Sequence, residues 1–288
     1  MRAVFKHELS SCFSNMTAYV FGGFLLLFTG IYVMVYNLQN ATVNFEYVLG
    51  SMSFVFLIIV PILTMRVLAE ERRQKTDQLL YSLPLTMTQV VLGKYFALLA
   101  VFAAPMLIVC LYPLILSAYG NVNLAGSYSA IFGFFCLGAA LIALGVYISS
   151  VTESQAVAAG LCFVVMLCNY FISDLSGFAS STAYASLASL AVVILLVCLV
   201  VYLMTKSGVF AFGLGAVLEA GLIGLYLWDS SRFEGLFPEI ISQLSLFERF
   251  YAIVNGVLDL TAIVYYLSVS GVFLFFSVQS MEKRRWSE

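Results

Sequence analysis

From end to end the chain alternates long apolar runs with short polar breaks. A membrane-crossing helix needs about 20 mostly apolar residues. Eight runs reach that length: 17–37, 48–68, 96–118, 128–150, 155–173, 186–205, 208–228 and 261–280. The pattern predicts an all-α integral membrane protein, a polytopic helix bundle. No linker or periodic repeat divides it, so 1–288 reads as a single transmembrane domain.

Two stretches are amphipathic rather than wholly apolar. At the start, Phe5, Leu9, Cys12 and Phe13 share one helical face, with Arg2 and Lys6 to one side. Residues 1–16 therefore predict a helix lying in the membrane interface, with a frayed tail as the plainer alternative. In 229–260, Phe233, Phe237, Ile240, Leu244, Phe247, Tyr251 and Val254 recur at three- or four-residue steps, and Pro238 interrupts the first part. That spacing predicts one or two amphipathic helices on the outer face.

The break at 69–95 is the most polar piece of the first two-thirds of the chain. Glu70, Glu71, Arg72, Arg73, Lys75, Thr76, Asp77 and Gln78 are followed by Leu79, Leu80, Leu83 and Pro84. The second span is expected to run on as helix past Leu68, with Glu71–Lys75 and Glu70–Gln74 paired across one turn. Thr76 suits the cap of a short second helix, with Asp77 at its positive end. Pro84 ends that helix, and Thr86 with Gln89 makes a capping-box pattern for the next. A loop that only joins two spans is commonly two to eight residues long, roughly a third of this one. Its leucine ridge asks for a partner surface.

Charge changes the picture in one respect, orientation. With eight spans, eleven of the thirteen basic residues fall on one side, and only Arg232 and Arg249 on the other. Lysine and arginine concentrate on the cytoplasmic side, which predicts both termini in the cytoplasm. The net charge of −2 gives no basic field for nucleic acid.

Candidate chemistry is sparse. With 62% hydrophobic and 10% charged residues, the six cysteines read as small apolar side chains. One histidine and scattered cysteines make no metal ligand set. No nucleophile stands beside a base, and no G-x-x-x-x-G-K-[ST] motif is present. The chain is therefore expected not to be an enzyme. Glu219, in the middle of the seventh run, is costly at that depth. It reads either as a substrate, proton or helix-pairing group, or as a tolerated buried acid. Ala216, Ala220 and Gly224 form a small-residue ridge beside it, suited to close helix packing. Pro61 and Pro105 favour kinks within the second and third spans.

The stretch Glu71-Arg72-Arg73-Gln74-Lys75-Thr76-Asp77-Gln78-Leu79-Leu80-Tyr81-Ser82 resembles the coupling region of type-2 ABC exporter permeases, with Lys75 in place of a usual glycine. Ser149 to Gly160, which includes Thr152, Glu153 and Gln155, is similar to that family's inner turn between its fourth and fifth spans. Phe247 to Ser268 resembles the lead into the last span of the gliding-motility and nitrous-oxide-reductase-maturation subgroup. The resemblance implies a six-span core, here with an extra pair at 186–205 and 208–228. It implies a bacterial inner-membrane permease that rests on a separate cytoplasmic ABC ATPase, which would bind the ATP and magnesium. A second permease copy or a related permease would complete the path. An outer-face accessory protein and membrane lipid are further expected partners. The alternative is a membrane scaffold for a motility or assembly complex that moves no solute.

Overall fold

A computed structural model describes residues 1–74, 86–178, 182–205, 208–228, 233–256 and 260–287. Among them the chain is helical, with no strand. Six helical segments are long and apolar enough to cross a membrane: Thr17–Gln39, Glu46–Arg73, Met87–Ser117, Leu124–Val151, Gln155–Ile172 and Leu260–Arg284. The runs expected as the sixth and seventh spans form helices Ala183–Thr205 and Gly208–Trp228. Two compact units result. One comprises Met1–Cys168 with Arg249–Glu288, the other Asn169–Glu248.

In the first unit α1 (Arg2–Ser14) leads into α2 (Thr17–Val33), which ends in a π-helical turn at Met34–Gln39. The second span is not one continuous helix. It comprises α3 (Glu46–Met52), a 3-10 turn at Ser53–Val55, α4 (Phe56–Thr64) and α5 (Ala69–Arg73), with a non-helical turn at 65–68. The expected helical run past Leu68 is thus interrupted. The amides of Leu68 and Ala69 bond the Ser149 hydroxyl, each at 3.1 Å, instead of continuing a helical ladder.

The third span starts at α6 (Met87–Val109) and restarts after Cys110 as α7 (Leu111–Ser117). Thr86 caps α6 as expected, its hydroxyl accepting the Gln89 amide. Then follow α8 (Leu124–Val151) and α9 (Gln155–Phe178), the unit boundary falling within α9.

Helix α8 is the most buried span. Phe134 stacks on Phe56 at 4.3 Å between ring centres, and Phe102 meets Phe56 edge-on at 5.7 Å. Aromatic pairs of this kind add about 0.5–1.5 kcal/mol each beyond burial. Glycines on α8 permit the approach. A methyl group at Gly138 would collide with Phe102, and one at Gly145 with Thr64. The final helix of this unit, α14 (Leu260–Ser287), packs along α8, with Phe273 and Phe276 against Tyr147.

The second unit contains α10 (Ala183–Thr205), α11 (Gly208–Trp228) and α12 (Leu236–Leu244). The 229–260 segment forms two helices, as the spacing predicts: α12 and α13 (Leu246–Val254). Pro238 sits in the first turn of α12, where its missing amide breaks no helical bond. Ser245 separates the two helices and accepts the Glu248 amide. Asn169 clamps this corner, accepting from the Leu246 amide at 3.0 Å and donating to the Leu244 carbonyl at 3.4 Å.

Candidate functional site: the charged end of the first unit

The apolar stripe of α1 does not face a bare interface. Val4, Phe5, Leu9 and Cys12 turn inward, while Phe13 is exposed and meets Tyr19 edge-on. Helix α1 packs against α6, so closely that a methyl at Gly93 would stand 3.1 Å from Val4. Glu8 lies on that same inward side, an acid among apolar neighbours. Two turns of α6 beyond its start is Lys94, whose side chain is only 2% exposed.

Lys94 is the centre of an ion cluster. Its Nζ donates to Glu71 Oε1 at 2.7 Å, to the Val67 carbonyl at 2.8 Å and to Glu8 Oε2 at 3.2 Å. The three donors of the ammonium group are thereby used. A buried charge is tolerated when paired and fully hydrogen-bonded in this way. The cluster joins α1, α5 and the base of α6. Nearby, burial pushes the Cys12 thiol up to about 11, with the Glu8 charge acting in the same direction and Lys94 and Arg66 opposing it.

Next to Glu71, Arg72 reaches a different partner. Its Nη1 donates to the Thr152 carbonyl at 3.1 Å. The last carbonyls of a helix have no partner within it, and at the end of α8 side chains supply them. Ser280 of α14 donates to the Ser150 carbonyl at 3.3 Å, and Arg284 to the Val151 carbonyl at 3.2 Å. Arg284 also lies 3.6 Å from the exposed Glu153 carboxylate. The turn containing Thr152, Glu153 and Gln155 is therefore held from two directions.

Glu70 pairs with Arg66 through two bonds, 2.8 and 3.1 Å, and accepts from Gln74 at 3.3 Å, the latter as the spacing predicts. The Arg66 hydrogen bond, with Gln155 acting in the same direction, holds the Glu70 carboxyl below its usual range. Glu71 bonds Lys94, and its expected pairing with Lys75 rests on a residue outside the described ones. Lys75, Thr76, Asp77, Gln78, Leu79, Leu80, Leu83 and Pro84 lie outside the described residues, as does Tyr81. Of the polar break at 69–95 the structure describes the stem, 69–74, and the return from Thr86 onward.

Glu219 stands apart, half-buried on α11 in the second unit. Among the described residues the ridge of Ala216, Ala220 and Gly224 is exposed. The close approach is at Gly215, where a methyl would stand 3.0 Å from the Cys198 sulfur of α10. Among the described residues no group of three or more His, Cys, Asp or Glu could hold a metal ion.

The described helices thus make a multi-pass membrane protein with a charged, tightly bonded stem after its second span. A family profile described as ABC-2 family transporter protein matches residues 28–185, more than half of the chain. The chain belongs to that family. It is a transmembrane permease of an ABC transporter, and permeases of this class work with an ABC ATPase subunit. No curated protein matches it.

Proposed function

We propose that this chain is the membrane subunit of an ATP-driven exporter, with the Lys94 end of the first unit facing the cytoplasm and both termini on that side. In this reading the chain crosses the membrane eight times, α10 and α11 adding a pair to the six-span core. Residues 69–95 are the seat of a separate ATPase chain that binds ATP and magnesium. The apolar Leu79, Leu80 and Leu83 suit a groove on that partner. A second permease copy, or a related permease, completes the path.

The observation that carries this reading is the divided grip of α5. Glu71 holds α6 and α1 through Lys94, while Arg72 holds the end of α8, which α14 also caps. Consecutive residues on a helix point about 100° apart. A tilt of α5 therefore loads two groups of helices at once. The turn at 65–68 would let α5 tilt without bending α4, because the Leu68 and Ala69 amides there are held by Ser149 rather than by the helical ladder. Closure of the ATPases on ATP would supply the tilt.

The test is purification of the tagged chain from its native membrane in mild detergent. A stoichiometric ATP-binding subunit supports the reading, and Leu79→Asp with Leu80→Asp should shed it. A chain that emerges alone, or an ATPase that stays bound to the double variant, refutes the docking assignment. ATP-dependent accumulation of cargo inside inverted vesicles would establish export.

A further inference from the structure

The first unit contains a slot that the ion cluster does not involve. It lies between α6 and α8 and has a volume of about 300 Å³. Its walls are two matched stripes: positions 103, 106 and 107 of α6, with Cys110 just past its end, face positions 128, 131, 132 and 135 of α8. Both follow the i, i+3, i+4, i+7 spacing of a helix face. Seven residues of helix give the slot a length of about 10 Å.

Both ends are closed. At one, Phe102 and Phe135 stack with centroids 5.3 Å apart and planes nearly parallel. At the other, the Tyr128 hydroxyl donates to the Cys110 carbonyl at 3.2 Å. Cys110 lies at the break where α6 stops at Val109 and the chain restarts as α7. The side is open, with Leu107 71% and Phe132 49% exposed at the mouth.

We infer that this slot is a binding site for one acyl chain of a membrane phospholipid. The mouth lies within two membrane spans, so the medium outside it is hydrocarbon. No lining residue is charged, and the tyrosine hydroxyl is already bonded. A headgroup or a peptide backbone would lose its hydrogen bonds there without replacement. A helix from a second copy, about 10–12 Å across with its side chains, is too thick for a slot between two helices that touch at its end. A flexible alkyl chain fits the volume and the width. An empty slot would forfeit dispersion contacts along both walls.

The experiment uses the full chain in phosphatidylcholine vesicles, with a phosphatidylcholine carrying a diazirine on its acyl chain. After illumination, the adducts are located by peptide mass spectrometry. We expect residues 103–110 and 128–135 to be labelled several-fold more than Val264 and Leu267, which are as exposed on α14. Ala103→Trp should fill the slot and bring its labelling down to the α14 level. A readout on the unaltered chain guards against misfolding of that variant. Adding phosphatidylcholine to delipidated protein should slow alkylation of Cys110 several-fold. Uniform labelling of all exposed faces, or no protection of Cys110, would overturn the assignment. Cross-linking of Cys110 to a second copy would overturn it too, because a protein neighbour would then cover the slot.

Discussion

Lys94 and Glu71 meet at 2.7 Å although 23 positions, including the polar break at 75–85, separate them in the chain. The contact closes the base of that segment, so whatever 75–85 does, its two stems are held together. Glu8 reaches the same ammonium from 86 residues away. Removing the lysine would strand two carboxylates, and breaking a buried ion pair from one side costs about 3–5 kcal/mol. Lys94→Met should therefore lower the thermal midpoint sharply in detergent. The triple change Lys94→Met, Glu71→Gln, Glu8→Gln should recover much of the loss. A single variant as stable as the parent would show that the cluster is not structural.

Arg72→Gln tests the other half of the grip. The Thr152 carbonyl loses its donor, but α1 and α6 keep theirs. Hydrogen exchange should rise at 149–156 and stay unchanged at 4–12. Lys94→Met should show the reverse pattern. Equal responses in both regions would mean that the two grips are not separate.

Ser149→Ala removes the hydroxyl that accepts from two backbone amides at once. A buried donor left without a partner costs about 1–3 kcal/mol. Faster exchange of the Leu68 and Ala69 amides would be the direct sign. Unchanged protection there would show that the turn is held by something else.

The glycines of α8 divide from those of α2. Gly138→Ala and Gly145→Ala insert a methyl against Phe102 and Thr64, and overpacking of this kind costs about 1–3 kcal/mol. Gly23→Ala and Gly30→Ala meet nothing within 4 Å and should be neutral or slightly stabilising, since alanine favours helix by up to about 1 kcal/mol over glycine. Thermal unfolding of the four variants checks the contrast.

Cys12 should be inert at neutral pH. Its thiol titrates at about 11 rather than at 9.0, so folding favours the protonated form. That contribution is complete below pH 9, where the unfolded thiol begins to ionise, and is lost as pH rises through 11. At pH 8 about one molecule in a thousand carries the thiolate. Iodoacetamide should label Cys12 far more slowly in the native chain than after unfolding in detergent. Equal rates would place the thiol in a wetter environment than the one seen.

The reach of sequence reasoning follows the range of the interactions. Span positions are set by local hydropathy, and α8 at Leu124–Val151 lies close to the 128–150 predicted. The Thr86 cap and the Glu70–Gln74 bond span three or four residues, and both are present. The two amphipathic helices were legible from the spacing of Phe233 to Val254. The Lys94 cluster was not, because its acids come from distant segments and the lysine served only as an orientation signal. One clue was available: Glu8 interrupts the α1 stripe between Phe5 and Leu9, an acid on a face that otherwise seeks apolar cover. The turn at 65–68 had no local mark, since Met65-Arg66-Val67-Leu68 contains neither glycine nor proline. What ends the helix there is a serine 80 residues further on.

The order of the three ionic residues along the chain also bears on how the protein is made. Chains emerge from the ribosome N-terminus first. Glu8 and Glu71 are therefore synthesised before Lys94, and neither can be neutralised by its final partner until the third span has begun to appear. The cluster can therefore close only once the third span is present, so Glu8 and Glu71 gain their shared partner in the same step of assembly.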